Sequence, residues 1–222
     1  MGKYLYLLIP LFLLGCSNTS SLTETPPTTN NGSSVEEGYT TPEIAAEYGN
    51  AIENATKMQS FLYEDQSIIT FEGEGNEYAS YRVETHWLTD EYVEMVVING
   101  GVDLLKYYRV KGEGIYLIEQ LEDEGQSLTI EHLETLKPMS TYLASPLNVG
   151  TSFEGWTIEQ TEAHYTTPYD SFNQVIVITK QEDNSKQRNY FVSGIGQIAA
   201  EFEITDEQGN IEVISSKIKS IE

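Results

Sequence analysis

Cys16 is the single thiol in the chain, so it has no partner for an internal disulfide. What chemistry a thiol enters depends on its surroundings, because only the thiolate is nucleophilic. The three histidines, His86, His132 and His164, lack the short spacings of a zinc site. No Gly-x-Ser-x-Gly elbow presents a serine nucleophile. The Gly-x-Gly pairs at 112–114 and 194–196 read as hairpin turns, and neither opens a helix whose amides would cradle a phosphate. Asp and Glu number 35 against 12 Lys and Arg, so a pair of carboxylates at glycosidase spacing carries no information. The densest acidic cluster, Glu119, Glu122, Asp123 and Glu124, lacks the Asp-x-Asp-x-Asp-Gly pattern of a calcium loop. The residue types nominate no catalytic residue, no metal ligand and no cofactor, and a non-enzymatic protein is expected.

The surroundings of Cys16 are more specific. Lys3 precedes an apolar run from Tyr4 to Leu14 that only Pro10 interrupts. A bilayer span needs about 20 apolar residues, so this run is too short to be one and has the length of a signal-peptide core. It ends Leu13-Leu14-Gly15-Cys16, which resembles the lipobox of bacterial lipoproteins, with Leu14 a less common choice at its position. The resemblance implies that residues 1–15 are removed and that Cys16 receives a diacylglyceryl thioether. Several acyl chains anchor a protein durably where one does so only marginally. The expected address is the extracytoplasmic face of a cell membrane, with the bilayer as partner through acylated Cys16. No cysteine nucleophile then remains.

Residues 16–40 follow as a tether rich in Ser, Thr, Asn, Pro and Gly, including Thr25-Pro26-Pro27-Thr28-Thr29-Asn30-Asn31-Gly32. Such a composition cannot bury enough apolar surface to offset the entropy of ordering it. About twenty residues of coil reach roughly 25 Å, beyond the ~8 Å over which charges act in physiological salt. The net charge is −23, and loss of Lys3 with the leader makes it one unit more negative. A chain so charged repels nucleic acid and anionic headgroups, and it suits either a basic envelope partner or simple solubility in salty surroundings.

Residues 41–222 are expected to form one β-rich domain. Thr41-Pro42-Glu43 is a helix start: a capping hydroxyl, proline at the first helical position and a carboxylate at the positive end of the dipole. Ile44, Tyr48, Ala51, Ile52, Ala55 and Met58 recur at spacings of three and four, which predicts a helix over 42–60. Strand-like stretches then follow at 78–87, 92–98, 104–110, 115–118, 175–179, 198–204 and 211–218. Turn signals at 72–76, 99–101, 112–114, 194–196 and 206–210 separate them. Short connections mean antiparallel hairpins. About ten strands and one early helix predict a large curled, half-barrel-like antiparallel sheet packed on that helix. Residues 128–136 are compatible with a short second helix.

The 15 tyrosines, with Trp87 and Trp156, concentrate in or beside the predicted strands. They would line a concave face that holds an apolar or sugar ligand, or they are strand residues with one wet end. An echo links Tyr108-Arg109-Val110-Lys111-Gly112-Glu113-Gly114 to Tyr190-Phe191-Val192-Ser193-Gly194-Ile195-Gly196, 82 residues on, and Val93–Val96 to Val175–Ile178 at the same offset. Duplication of a hairpin meander, or convergence on a common hairpin, would each produce it.

Pro146-Leu147-Asn148-Val149-Gly150, Tyr165-Thr166-Thr167-Pro168-Tyr169-Asp170-Ser171-Phe172 and Tyr190-Phe191-Val192-Ser193-Gly194-Ile195-Gly196 occur in that order. This order resembles a broad group of uncharacterised bacterial lipoproteins, with Phe153 where that pattern has Trp and Asp170 where it has Gly. The resemblance covers turns and strand ends over about 146–202 and carries no catalytic residue. A fainter likeness, of element order only, is to the half-barrels of lipoprotein carriers. The expected function is a membrane-anchored lipoprotein with a binding or interaction role at the envelope. The alternatives are a carrier or sensor of a hydrophobic ligand held between helix and sheet, and an envelope hydrolase without a recognisable motif.

Overall fold

The computed structural model describes residues 57–222, all within the unit Thr40–Glu222. Leu13, Leu14, Gly15 and Cys16, the tether over 16–40 and most of the helix predicted over 42–60 lie outside the described residues. The end of that helix is inside them: residues 57–59 are helical, and Met58 is fully buried.

The described chain is mostly β. Its strands are β1 Ile68–Glu74, β2 Tyr81–Trp87, β3 Tyr92–Ile98, β4 Leu104–Lys111, β5 Gly114–Glu122 and β6 Ser140–Ala144, then β7 Ser152–Phe153, β8 Trp156–Thr166, β9 Ser171–Glu182, β10 Ser185–Val192, β11 Gly196–Thr205 and β12 Ile211–Ile221. They form one 12-stranded antiparallel sheet in the order β6-β5-β4-β3-β2-β1-β12-β11-β10-β9-β8-β7. The sheet is two six-stranded meanders, β1–β6 and β7–β12, joined where β1 pairs with β12. The echoed segments are the β4–β5 and β10–β11 hairpins, which hold the same place in each meander.

The two edges, β6 and β7, approach each other. Glu154 and Gly155 have φ of 46° and 83° and make the two-residue β7–β8 turn, the left-handed pair that a tight hairpin favours. The turn presents the Glu154 carboxylate to the opposite edge. It accepts hydrogen bonds from the Thr141 amide and hydroxyl, both at 2.8 Å. Behind this bridge the Tyr142 ring of β6 packs edge-on against Phe191 of β10 at 5.3 Å, and its hydroxyl donates to Gln197 Oε1 of β11 at 2.8 Å. The sheet is thereby nearly closed, and the amide of an otherwise exposed edge strand is satisfied.

Inside lies the main core, to which both meanders contribute. Ile69, Phe71, Val83, Val93, Met95, Tyr108, Val110, Ile115 and Leu143 meet Ile158, Val175, Ile178, Phe191, Ile198 and Ile218, with Met58, Phe61, Leu62 and Tyr63 among them. A smaller core of Tyr92, Leu105, Tyr107, Ile118 and Leu133 lies on the other face of β3–β5, covered by residues 128–136. The covering segment contains only one turn of helix, α1 Ile130–Leu133, capped by the Thr129 side chain. It is fastened by a buried pair. The Tyr107 hydroxyl donates to Glu94 Oε2 at 2.7 Å and accepts from the Leu128 amide at 2.9 Å. Burial, then hydrogen bonding to Glu94, pushes the Tyr107 phenol up to about 12.

Several expectations need correction. There are twelve strands rather than about ten. Residues 72–74, expected as a turn, end β1. Residues 78–79, expected as strand, belong to the 3-10 turn Glu77–Ala79. Strands β1, β6, β7, β8 and β10 were not expected. The short helix over 128–136 is reduced to α1. His86 is exposed on β2.

Candidate functional site

The segment 59–67 crosses one end of the sheet on its way into β1. Its Phe61-Leu62-Tyr63 run is apolar enough to turn inward, and all three side chains are buried in the main core. The backbone is fastened on both sides. The Gly194 amide donates to the Ser60 carbonyl at 2.7 Å, and the Ser60 and Ser193 hydroxyls are 2.8 Å apart. Across the segment, the Trp87 indole donates to the Tyr63 carbonyl at 2.9 Å, and the Trp87 amide donates to Asp65 Oδ1 at 2.9 Å. The Gln66 amide donates to the Thr85 carbonyl, and the Thr85 amide to the Ser67 carbonyl. Gly196 has φ of 108°, and a Cβ there would sit 2.9 Å from the Tyr63 ring. The close approach of β11 to this plug therefore requires glycine.

Two clefts flank the plug. The larger, about 600 Å³, is bordered by Leu62, Tyr63, Trp87, Glu64, Asp65 and Asp90. The smaller, about 390 Å³, lies against Ile69, Ile195, Ile221, Glu64 and Asp65. Each has an apolar floor and an acidic rim.

Below the plug the interior is rich in phenols. Tyr81 stacks on Phe71 with ring centres 4.5 Å apart, and Tyr108 lies 5.0 Å from Tyr142. The Tyr63 hydroxyl donates to the Gln197 carbonyl at 2.9 Å. Burial, and for Tyr63, Tyr81 and Tyr142 the mutual proximity of the phenols, pushes the pKa of all four above the ordinary phenol value. At neutral pH these groups offer hydrogen bonds and aromatic surface, the chemistry of binding and orientation.

The residues weighed from sequence are scattered. His86 lies on β2, His132 on α1 and His164 on β8, all exposed, with His164 Nδ1 3.0 Å from Asn173 Oδ1. Glu119, Glu122, Asp123 and Glu124 run from β5 into an exposed loop. Among the described residues no three His, Cys, Asp or Glu side chains are grouped so as to hold a metal ion, and no helix is long and apolar enough to cross a membrane. Of the aromatics, Trp87 borders the larger cleft and Tyr108 the interior. Tyr107 and Tyr116 belong to the smaller core, while Tyr169 is exposed. Tyr165 and Tyr190 stack at 4.2 Å and both donate to Glu201.

Sequence reading missed Tyr63, Thr85 and Gln197, which no local pattern in the chain marks.

The site defines an antiparallel β protein with a plugged, phenol-lined interior. No protein family's sequence profile matches the chain, and no curated protein does. Among solved structures it is similar to a Bacteroides fragilis protein described as a "putative exported protein with YmcC-like fold". The identity is 10%, the match covers 73% of this chain and 98% of that one, and the TM-score is 0.45.

Proposed function

We propose that this chain is a membrane-anchored lipoprotein with a non-enzymatic binding role at the extracytoplasmic face of the cell membrane. The anchor is Cys16, acylated after cleavage at Gly15. The ligand is an apolar or amphiphilic molecule taken up between the plug and the sheet. The observation that carries the binding role is the cleft of about 600 Å³ between Tyr63 and Trp87, which borders an apolar, phenol-lined interior. A site of this size with a few placed polar groups suits a small ligand. Met58, the last apolar position of the expected helix stripe, is fully buried in the main core. The acidic rim at Glu64, Asp65 and Asp90 keeps the mouth wetted and turns away anionic polymers.

Native mass spectrometry of the full chain after mild detergent extraction is expected to show a bound molecule of a few hundred daltons, about what such a cleft holds. Bare protein alone would count against the ligand. Separately, Cys16→Ala is expected to move the protein from the membrane to the soluble fraction, and undiminished membrane attachment would refute the anchor.

A further inference from the structure

The larger cleft lies between two segments that hold each other in place. The Gln59 side-chain amide donates to the Asp90 carbonyl, which ties the start of the plug to the turn between β2 and β3. That turn is closed by the Thr89 hydroxyl, which accepts from the Glu91 and Tyr92 amides at 3.1 Å. Both donors of Trp87 are engaged, its indole by the Tyr63 carbonyl and its amide by Asp65 Oδ1. The half-buried indole and the Asp65 carboxylate are therefore fixed relative to each other before a ligand arrives, which lowers the cost of binding one.

The charge around this cleft has one sign. Glu64, Asp65 and Asp90 border it, and among the described residues no Lys, Arg or His does. None of the three carboxylates has an ion pair among the described residues. Arg109, which pairs across the sheet with Tyr92, is committed elsewhere: it lies 2.8 Å from Glu91 and 5.0 Å from the Tyr92 ring centre. An acidic rim on a polar surface would be met by water and salt alone. Here the rim encloses an apolar floor and an indole. The smaller cleft shares Glu64 and Asp65 but has the aliphatic floor Ile69, Ile195 and Ile221. An indole and a carboxylate attract the same kind of charge, because the ring quadrupole is negative at its face. A neutral head gains from neither group, and an anionic head is repelled by the rim. The rim does not group three side chains closely enough to hold a metal ion. A broad organic cation needs no such tight shell.

We propose that the larger cleft takes an amphiphile with an organic ammonium head and an apolar body, the head beside Trp87, Asp65, Glu64 and Asp90 and the body against Leu62 and Tyr63. This names the ligand class for the binding reading above and rests on that reading. Such a head occurs on free ammonium amphiphiles and on zwitterionic lipid headgroups, where a phosphate accompanies it.

The test is calorimetric titration of the full chain, freed of bound lipid, with four probes that share an octyl tail: octyltrimethylammonium, octylphosphocholine, 1-octanol and octanoate, all below their micellar concentrations. Octyltrimethylammonium is expected to bind about tenfold more tightly than octanol, and octanoate most weakly. Octylphosphocholine binding as tightly as the ammonium would identify a zwitterionic headgroup as the source, and its exclusion a free ammonium amphiphile. Glu64 and Asp90 are exposed, so their neutral isosteres leave the core intact. Glu64→Gln with Asp90→Asn is expected to cut the preference for ammonium over octanol to about threefold or less. Glu207→Gln with Glu212→Gln removes as much charge from exposed positions at the β11–β12 turn and is expected to keep the preference. Equal affinity for ammonium and octanol, or a preference that survives in the cleft variant, overturns the cation role. So does an equal loss in the remote variant, which would assign the preference to the net charge of −23. If none of the four probes binds, the ligand-binding reading itself fails.

Discussion

The two meanders share a plan and differ in where they place one extra residue. In the β4–β5 hairpin, Lys111 pairs with Gly114 across a two-residue turn, and the register shifts by one between Tyr107 and Tyr108, so that Ile118 is extra. In the β10–β11 hairpin, Val192 pairs with Gly196 across a three-residue turn, and the shift falls between Tyr190 and Phe191, where Ile198 is extra. A register slip of one residue exchanges faces. The result is that Tyr108 meets Tyr142 in the interior, whereas at the echoed position it is Phe191, beside Tyr190, that meets the same ring. The Tyr190 hydroxyl is engaged instead by Glu201, which also receives Tyr165 and lies 3.6 Å from Arg188. Each meander therefore holds a sheltered carboxylate that accepts from phenols, Glu94 in the first and Glu201 in the second. The first uses its carboxylate to hold a covering segment, and the second uses its own to knit neighbouring strands. Hairpin segments that share Tyr-x-Val-x-Gly-x-Gly are compatible with different uses of the same tyrosine once a bulge moves.

The largest test of this contrast is at the second glycine of each echo. A Cβ at Gly196 would meet the buried Tyr63 ring at 2.9 Å and the Leu62 backbone at 3.3 Å, with φ at 108°. Gly196→Ala is expected to cost about 2–4 kcal/mol in urea unfolding. Gly114 has no positive φ, and the atoms nearest its Cβ would be the far end of the half-buried Tyr116 side chain, at 2.6 Å, rather than backbone. Gly114→Ala is expected to cost about 1 kcal/mol. Equal costs would mean that the plug does not depend on the second hairpin.

A smaller effect separates the fold from its pH environment. Phenols are neutral in this fold, and their folded pKa values are raised. Their stabilising contribution is therefore complete below the unfolded value of 10.0 and is lost as pH climbs through the folded values, about 12 for Tyr107. Unfolding free energy is expected to be level from neutral pH to about 9 and to fall between about 10 and 12, with the interior phenols titrating late in ultraviolet absorbance. A stability level beyond pH 12, or phenols all titrating near 10, would show that the interior is open to water.

Much of the first meander was legible because its strands obey local rules. Tyr92–Ile98 is a run of β-branched and apolar residues and forms β3 with the expected bounds. The Gly-x-Gly pairs mark turns because Gly112, Gly194 and Gly196 take the left-handed backbone that glycine adopts most readily. The second meander was harder to read. Strand β8, Trp-Thr-Ile-Glu-Gln-Thr-Glu-Ala-His-Tyr-Thr, is largely polar, and its pairing with β9 shifts register three times. Strand β10 begins Ser-Lys-Gln-Arg-Asn. Strands whose faces and edges meet water need no apolar alternation, so periodicity does not find them.

The sequence by itself determined that the chain is mostly antiparallel β, through its β-prone runs and the spacing of its turn residues, which act locally. Only the tertiary structure decided that Glu154 would bridge to Thr141 and that Gly196 would admit Tyr63. Those relations join residues far apart in the chain, and their register depends on single-residue bulges whose energy comes from packing between strands.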